Sequence, residues 1–90
     1  MSVVAPKERV KRKEQIVEKR GLILFNDDVN SFDHVIDCLM NICEHEMVQA
    51  EQCAWVVHTN GKCLVKTGTL DEVQTMCLKL VNQGLSAKVD

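Results

Sequence analysis

The sequence predicts a small mixed α/β (α+β) domain in the order β-α-α-β-α-β, and three observations predict it. Ninety residues are enough for one domain, and 46% of them are hydrophobic, so a core can form despite the short chain. Short apolar runs ending in turn residues mark the strands. Longer segments carry apolar residues at three- and four-residue steps, the period of a helix face. Strands this short must share one small sheet, with the helices packed on it.

Taken in order, residues 1–19 are mostly charged and lack a sustained apolar face. They read as a flexible charged N-terminal extension, leaving 20–90 as the core domain. Leu22-Ile23-Leu24-Phe25 is a continuous apolar run and predicts a buried strand. Ser31 is a good N-cap, and Asp33 suits a first helical turn. Phe32, Val35, Ile36, Leu39, Ile42 and Cys43 then form one helical stripe. The run Glu44-His45-Glu46-Met47 breaks it. Ala50, Cys53, Ala54 and Val57 share the face of a second helix, which stops at Asn60-Gly61. Lys62 to Lys66 suits a strand. Thr69 with Glu72 has capping-box spacing, and the helix it opens is expected to bury Leu70, Val73, Met76, Cys77, Leu80 and Val81. Gly84 is expected to end that helix, and Leu85 to Val89 to form an edge strand.

Charge is unevenly placed. Of 11 Lys/Arg and 13 Asp/Glu, seven bases and three acids lie in residues 1–20, leaving four bases against ten acids in 21–90. An acidic body repels phosphates, and three aromatic residues offer little stacking surface, so no nucleic-acid partner is expected. No segment approaches the roughly 18 apolar residues of a membrane span, so no membrane partner is expected either. The first twenty residues lack the apolar stretch of a secretory signal. Five cysteines, an odd number with no Cys-x-x-Cys pair, point to free thiols in a reducing cytoplasm.

Among chemistry-bearing residues, Asn26-Asp27-Asp28 follow the first strand directly. Asn and Asp commonly end strands by bonding their own backbone, and that ordinary reading applies here. The functional reading is a cation site, where an amide carbonyl and one or two carboxylates offer acceptors to an ammonium group. His58, late in the second helix, reads alone as a structural or surface histidine. As a neutral imidazole it would supply a third acceptor. No spacing supports a catalytic triad, and no glycine-rich phosphate loop occurs. His34 and Cys38, with Cys43 and His45 beyond, lack the ligand spacing of a metal site; Cys38 and Cys43 read as small buried hydrophobes.

The segment ILFNDDVNSFDHVIDCL (23–39), followed by QAEQCAWVVHTNGKC (49–63), closely resembles the ClpS family of Clp protease adaptors. The resemblance spans about residues 20–90. It implies a three-stranded antiparallel sheet packed against three helices. It also implies that Asn26, Asp27 and His58 bind the α-amino group of a substrate protein. An adjoining pocket for the first side chain would be walled by Asp28, Asn30, Phe32, Val35, Ala54 and Val57, with Leu85 contributing. The implied function is a non-enzymatic cytoplasmic adaptor. It would bind N-degron proteins beginning with Leu, Phe, Tyr or Trp and deliver them to the N-terminal domain of a Clp AAA+ unfoldase. No cofactor is implied, since the partner spends the ATP, and a monomer is expected. The alternatives are a stand-alone N-terminal-peptide binder of the same fold without protease hand-over, and a small hydrolase or metal protein. The chain matches the family's Clp ATPase-contact surface poorly, for instance around Asp71 and Met76, and departs from the family pattern at two points of the pocket. Asn30-Ser31-Phe32 stands where Thr-Pro-Met is usual, and Ala54 where a large Met is common.

Overall fold

The structure, a computed structural model, describes residues 18–90. The extension expected over residues 1–19 therefore lies almost wholly outside the described residues. The order is β1 (Arg20–Phe25), α1 (Phe32–Ile42), α2 (Met47–Asn60), β2 (Lys62–Gly68), α3 (Leu70–Asn82) and β3 (Ser86–Val89). The sheet order is β2-β1-β3, and both pairings are antiparallel. The apolar run therefore becomes the central strand. Leu22 and Leu24 alternate onto the helix-covered face and are completely buried.

Local chemistry explains the boundaries. The Ser31 side chain accepts from His34 N at 3.1 Å, satisfying an amide of the first turn of α1. The capping box at α3 is complete: Glu72 N donates to Thr69 Oγ1 at 3.3 Å, and Thr69 N donates to Glu72 Oε1 at 2.9 Å. Gly61 ends α2 at φ 92°, a left-handed conformation that a side chain would strain. The break between α1 and α2 is a tied corner. Buried His45 shares a 2.6 Å hydrogen bond between Nε2 and Val65 O, and Lys66 Nζ donates to Cys43 O at 3.1 Å.

The core gathers Leu22, Leu24, Leu39, Cys43, Ala50, Val57, Val65, Val73, Leu80 and Leu85. Cys38 and Cys43 are buried, and all five cysteines are free thiols. Burial pushes the Cys43 thiol up to about 11, which suits a packing role. Two expectations for α3 need correction. Leu70 and Val81 are exposed, because they sit at the edges of a stripe whose centre is Val73 and Leu80. No helix of the described residues is long and apolar enough to cross a membrane.

Candidate functional site

The loop between β1 and α1 carries the cluster Asn26 to Asn30, and it is fastened at both ends. Asn26 N donates to Gly61 O at 2.9 Å, which holds the end of β1 against the end of α2. Asp27 Oδ1 accepts from Val29 N and Asn30 N, both at 3.0 Å. The Asn30 amide donates to the two Asp27 oxygens at 3.0 and 2.9 Å, and to Gly84 O at 2.8 Å. The turn-forming role of Asp27 is thus realised. The backbone N–H of Asn30, above all, holds its carboxyl below the ordinary 3.8; partial burial opposes this, and the Asn30 side chain and Val29 N–H add to it. Asp27 is accordingly ionised at neutral pH. Most of the bonds fall on Oδ1, leaving Oδ2 with acceptor capacity.

A cavity of about 560 Å³ lies between this loop and α2. Asn26, Asp27, Asp28 and Asn30 line it from the loop, and Phe32 and Val35 from α1. Ala54, Trp55, Val57 and His58 line it from α2. Among the described residues, nothing hydrogen-bonds the Asn26 side chain or the His58 ring. One side of the cavity therefore offers an amide, a carboxylate and an imidazole. The other offers Phe32, Val35, Ala54 and Val57. Such a site can hold a group that joins a cation to an apolar body.

Leu85 is placed differently from its expected position. It is 4% exposed, packs in the core and does not line the cavity. What that turn brings to the loop is the Gly84 carbonyl, through Asn30. Trp55 is the reverse case: it lines the cavity without having been expected there. It is 59% exposed. Its ring centroid lies 6.5 Å from Phe32 in an edge-on arrangement and 5.9 Å from His58. The sequence signal was available, since Trp55 precedes His58 by three residues and so shares its helix face. Among the described residues, no group of three or more His, Cys, Asp or Glu could hold a metal ion. The expected His34–Cys38 neighbours do meet, at 3.6 Å, but His34 Nε2 also bonds Gln83 O at 2.9 Å.

A family model described as ATP-dependent Clp protease adaptor protein ClpS matches residues 15–88. The chain belongs to the ClpS family. It is 30% identical over 90 residues to the ClpS adapter of Synechococcus elongatus, covering 99% of this chain and 93% of that one. To the ClpS adapter of Campylobacter jejuni strain RM1221 it is 37% identical over 75 residues, covering 77% and 78%. The fold matches the structure of Agrobacterium tumefaciens ClpS2 bound to L-phenylalaninamide, with a TM-score of 0.74 at 15% identity. That match covers 82% of this chain and 99% of that one. The three-stranded antiparallel sheet with three helices is thus the architecture of a ClpS protein.

Proposed function

We propose that this chain is a non-enzymatic adaptor for proteins that begin with a bulky hydrophobic residue, Leu, Phe, Tyr or Trp. It passes them to the N-terminal domain of a Clp AAA+ unfoldase for degradation. One observation carries the reading: a single cavity joins the acceptors Asn26, Asp27 and His58 to an apolar wall. A free α-ammonium brings a positive charge and three donors, whereas an internal peptide nitrogen brings one donor and no charge. Converging acceptors therefore separate a chain end from a chain middle. The apolar wall then favours large first side chains, by about 1.5–3 kcal/mol for one fully buried. An acetylated end would leave the Asp27 charge without a cationic partner. The Agrobacterium ClpS2 structure holds L-phenylalaninamide, a free amine beside an aromatic side chain, which is the same pairing of groups.

On this reading Asn26, Asp27 and His58 hold the amine. Asp28, Asn30, Phe32, Val35, Ala54 and Val57 shape the pocket. The chain works as a cytoplasmic monomer without a cofactor. Calorimetry with peptides carrying each of the twenty N-terminal residues, free and acetylated, tests it. Tight binding confined to free Leu, Phe, Tyr and Trp ends is the expected result. Equal affinity for free and acetylated peptides would overturn it.

A further inference from the structure

Trp55 belongs to two surfaces at once. It lines the cavity beside Phe32 and His58, and it also ends a shallow groove formed with Val48, Glu51, Gln52 and Val56. These five residues lie at three- and four-residue steps on one face of α2, and no other element of the described residues lines that groove with them. Val48 and Trp55 are both largely exposed. A chain end held at His58 must continue outward past its first residue, and Trp55 is common to the cavity and the groove. From Trp55 back to Val48 the helix axis covers about 10 Å. An extended chain covers that distance in about three residues.

We propose that the groove on α2 binds the second and third residues of the substrate, with Trp55 as the platform for the second and Glu51 as the charge that reads the third. This deepens the amine-end reading above and rests on it. The indole stays 59% exposed despite its contacts with Phe32 and His58, which leaves aromatic surface for a ligand. An aromatic ring or a guanidinium at position two stacks on it well. Glu51 stands one turn back along the helix, among Val48 and Gln52. A base at position three meets an opposite charge there, and an acid meets a like one. The preferred substrate is thus a bulky hydrophobic first residue, an aromatic or Arg second and a basic third.

The test is a set of Leu-starting peptides varied first at position two (Gly, Asp, Arg, Trp) and then at position three (Gly, Asp, Lys). Each is titrated against the wild type, Trp55→Ala and Glu51→Lys. For the wild type, Trp or Arg at position two should bind about three- to tenfold tighter than Gly. Trp55→Ala should lose more affinity with Trp at position two than with Gly there. Glu51→Lys should reverse the preference between Lys and Asp at position three. Circular dichroism melts confirm that both exposed-site variants fold. Flat profiles at both positions, with free Leu-Gly peptides still binding and acetylated ones not, would overturn the groove assignment while sparing the amine site. Loss from Trp55→Ala that varies with the first residue but not the second would confine Trp55 to the pocket wall. Flat profiles combined with Val48 and Glu51 variants that bind peptide but fail in hand-over would make the groove a docking face for the unfoldase instead. Failure of any free-amine peptide to bind overturns both readings together.

Discussion

Removing the Asp27 side chain should separate two roles that one carboxylate combines. In Asp27→Ala, three donors lose their acceptor: Val29 N, Asn30 N and the Asn30 amide. Water reaches this loop, so each bond is worth its modest net value, about 0.5–1.5 kcal/mol. A total of about 2 kcal/mol lowers the melting temperature of a domain this size by roughly 8–16 °C. The loss in binding is a separate quantity. A charge-assisted bond to an ammonium is worth about 1.5–3 kcal/mol, so affinity for a Leu-starting peptide should fall at least about tenfold. Asp27→Asn distinguishes the two roles. Its amide carbonyl still accepts from the turn amides, but its charge is gone. It should keep most of the thermal stability yet still bind the amine several-fold more weakly.

Acid provides an independent check on the same group. The folded Asp27 carboxyl is held below 3.8, so its stabilising bonds are at full strength above that pH. They are lost as pH falls from there through the folded value. The melting-temperature gap between wild type and Asp27→Asn should therefore shrink on acidification below about pH 3.8 and stay constant above it. Thermal melts across this range, paired with calorimetry at neutral pH, measure both effects. Asp27→Ala binding Leu-starting peptides within twofold of wild type would refute the amine role. A wild-type-to-Asn gap unchanged through the acid range would refute the account of the carboxylate bonds.

Three further outcomes are expected. Ala54 is almost fully buried on the cavity wall, so Ala54→Met should fill part of it and change discrimination among Trp, Phe and Leu. It should leave the ratio of free to acetylated binding alone, and a preference profile superimposable on wild type would show that position 54 does not set pocket size. Asn30→Ala cuts the link from Asp27 to Gly84 O, so it should weaken all free-amine peptides by a similar factor, read by calorimetry. Unchanged affinity would mean the tether does not position the site. Residues 1–17 are rich in charged residues and carry no sustained apolar stripe in the sequence, so their deletion should leave Leu-peptide affinity intact while abolishing accelerated degradation of Leu-starting reporters by the cognate protease. Degradation at the full-length rate would refute a delivery role for that segment.

What could be read from the sequence was what local chemistry determines. Ser31, the Thr69–Glu72 pair and Gly61 each act within four residues, and each marks the boundary expected of it. Periodicity gave the direction of each helix face but not its width. Leu70 and Val81 fit the α3 stripe in sequence, yet the sheet covers only its centre. Phe32 likewise begins the α1 stripe but is 41% exposed at the cavity, where the loop turns away from the core. Asn26, Asp27 and His58 stand out in the sequence as residue types. The contact that braces Asp27 is invisible in the sequence, because Asn30, which holds its carboxylate, meets Gly84 across 54 residues. Leu85 shows the same limit: its neighbour Gly84 meets the loop through Asn30, while the Leu85 side chain is buried in the core.

The site and the closure of the fold share one loop, between β1 and α1. The β1–α1 loop is joined to the α2–β2 turn through Asn26 N and Gly61 O, and to the α3–β3 turn through Asn30 and Gly84. His34, one turn into α1, adds a second link to that turn at Gln83 O. Three connections that are far apart in the chain thus meet at one end of the sheet. Asn and Asp side chains are short, and they hold one geometry only where backbone from several elements supplies their partners. Fixing those acceptors before a ligand arrives reduces the ordering cost of binding, which matters most for a cation whose hydration must be replaced bond for bond. A domain this small has few contacts to spare for such support. It follows that the polar loop cannot be redesigned for a new ligand independently of the fold. Changes at Gly84 or Gly61, which touch no ligand on this reading, should register in affinity as well as in stability.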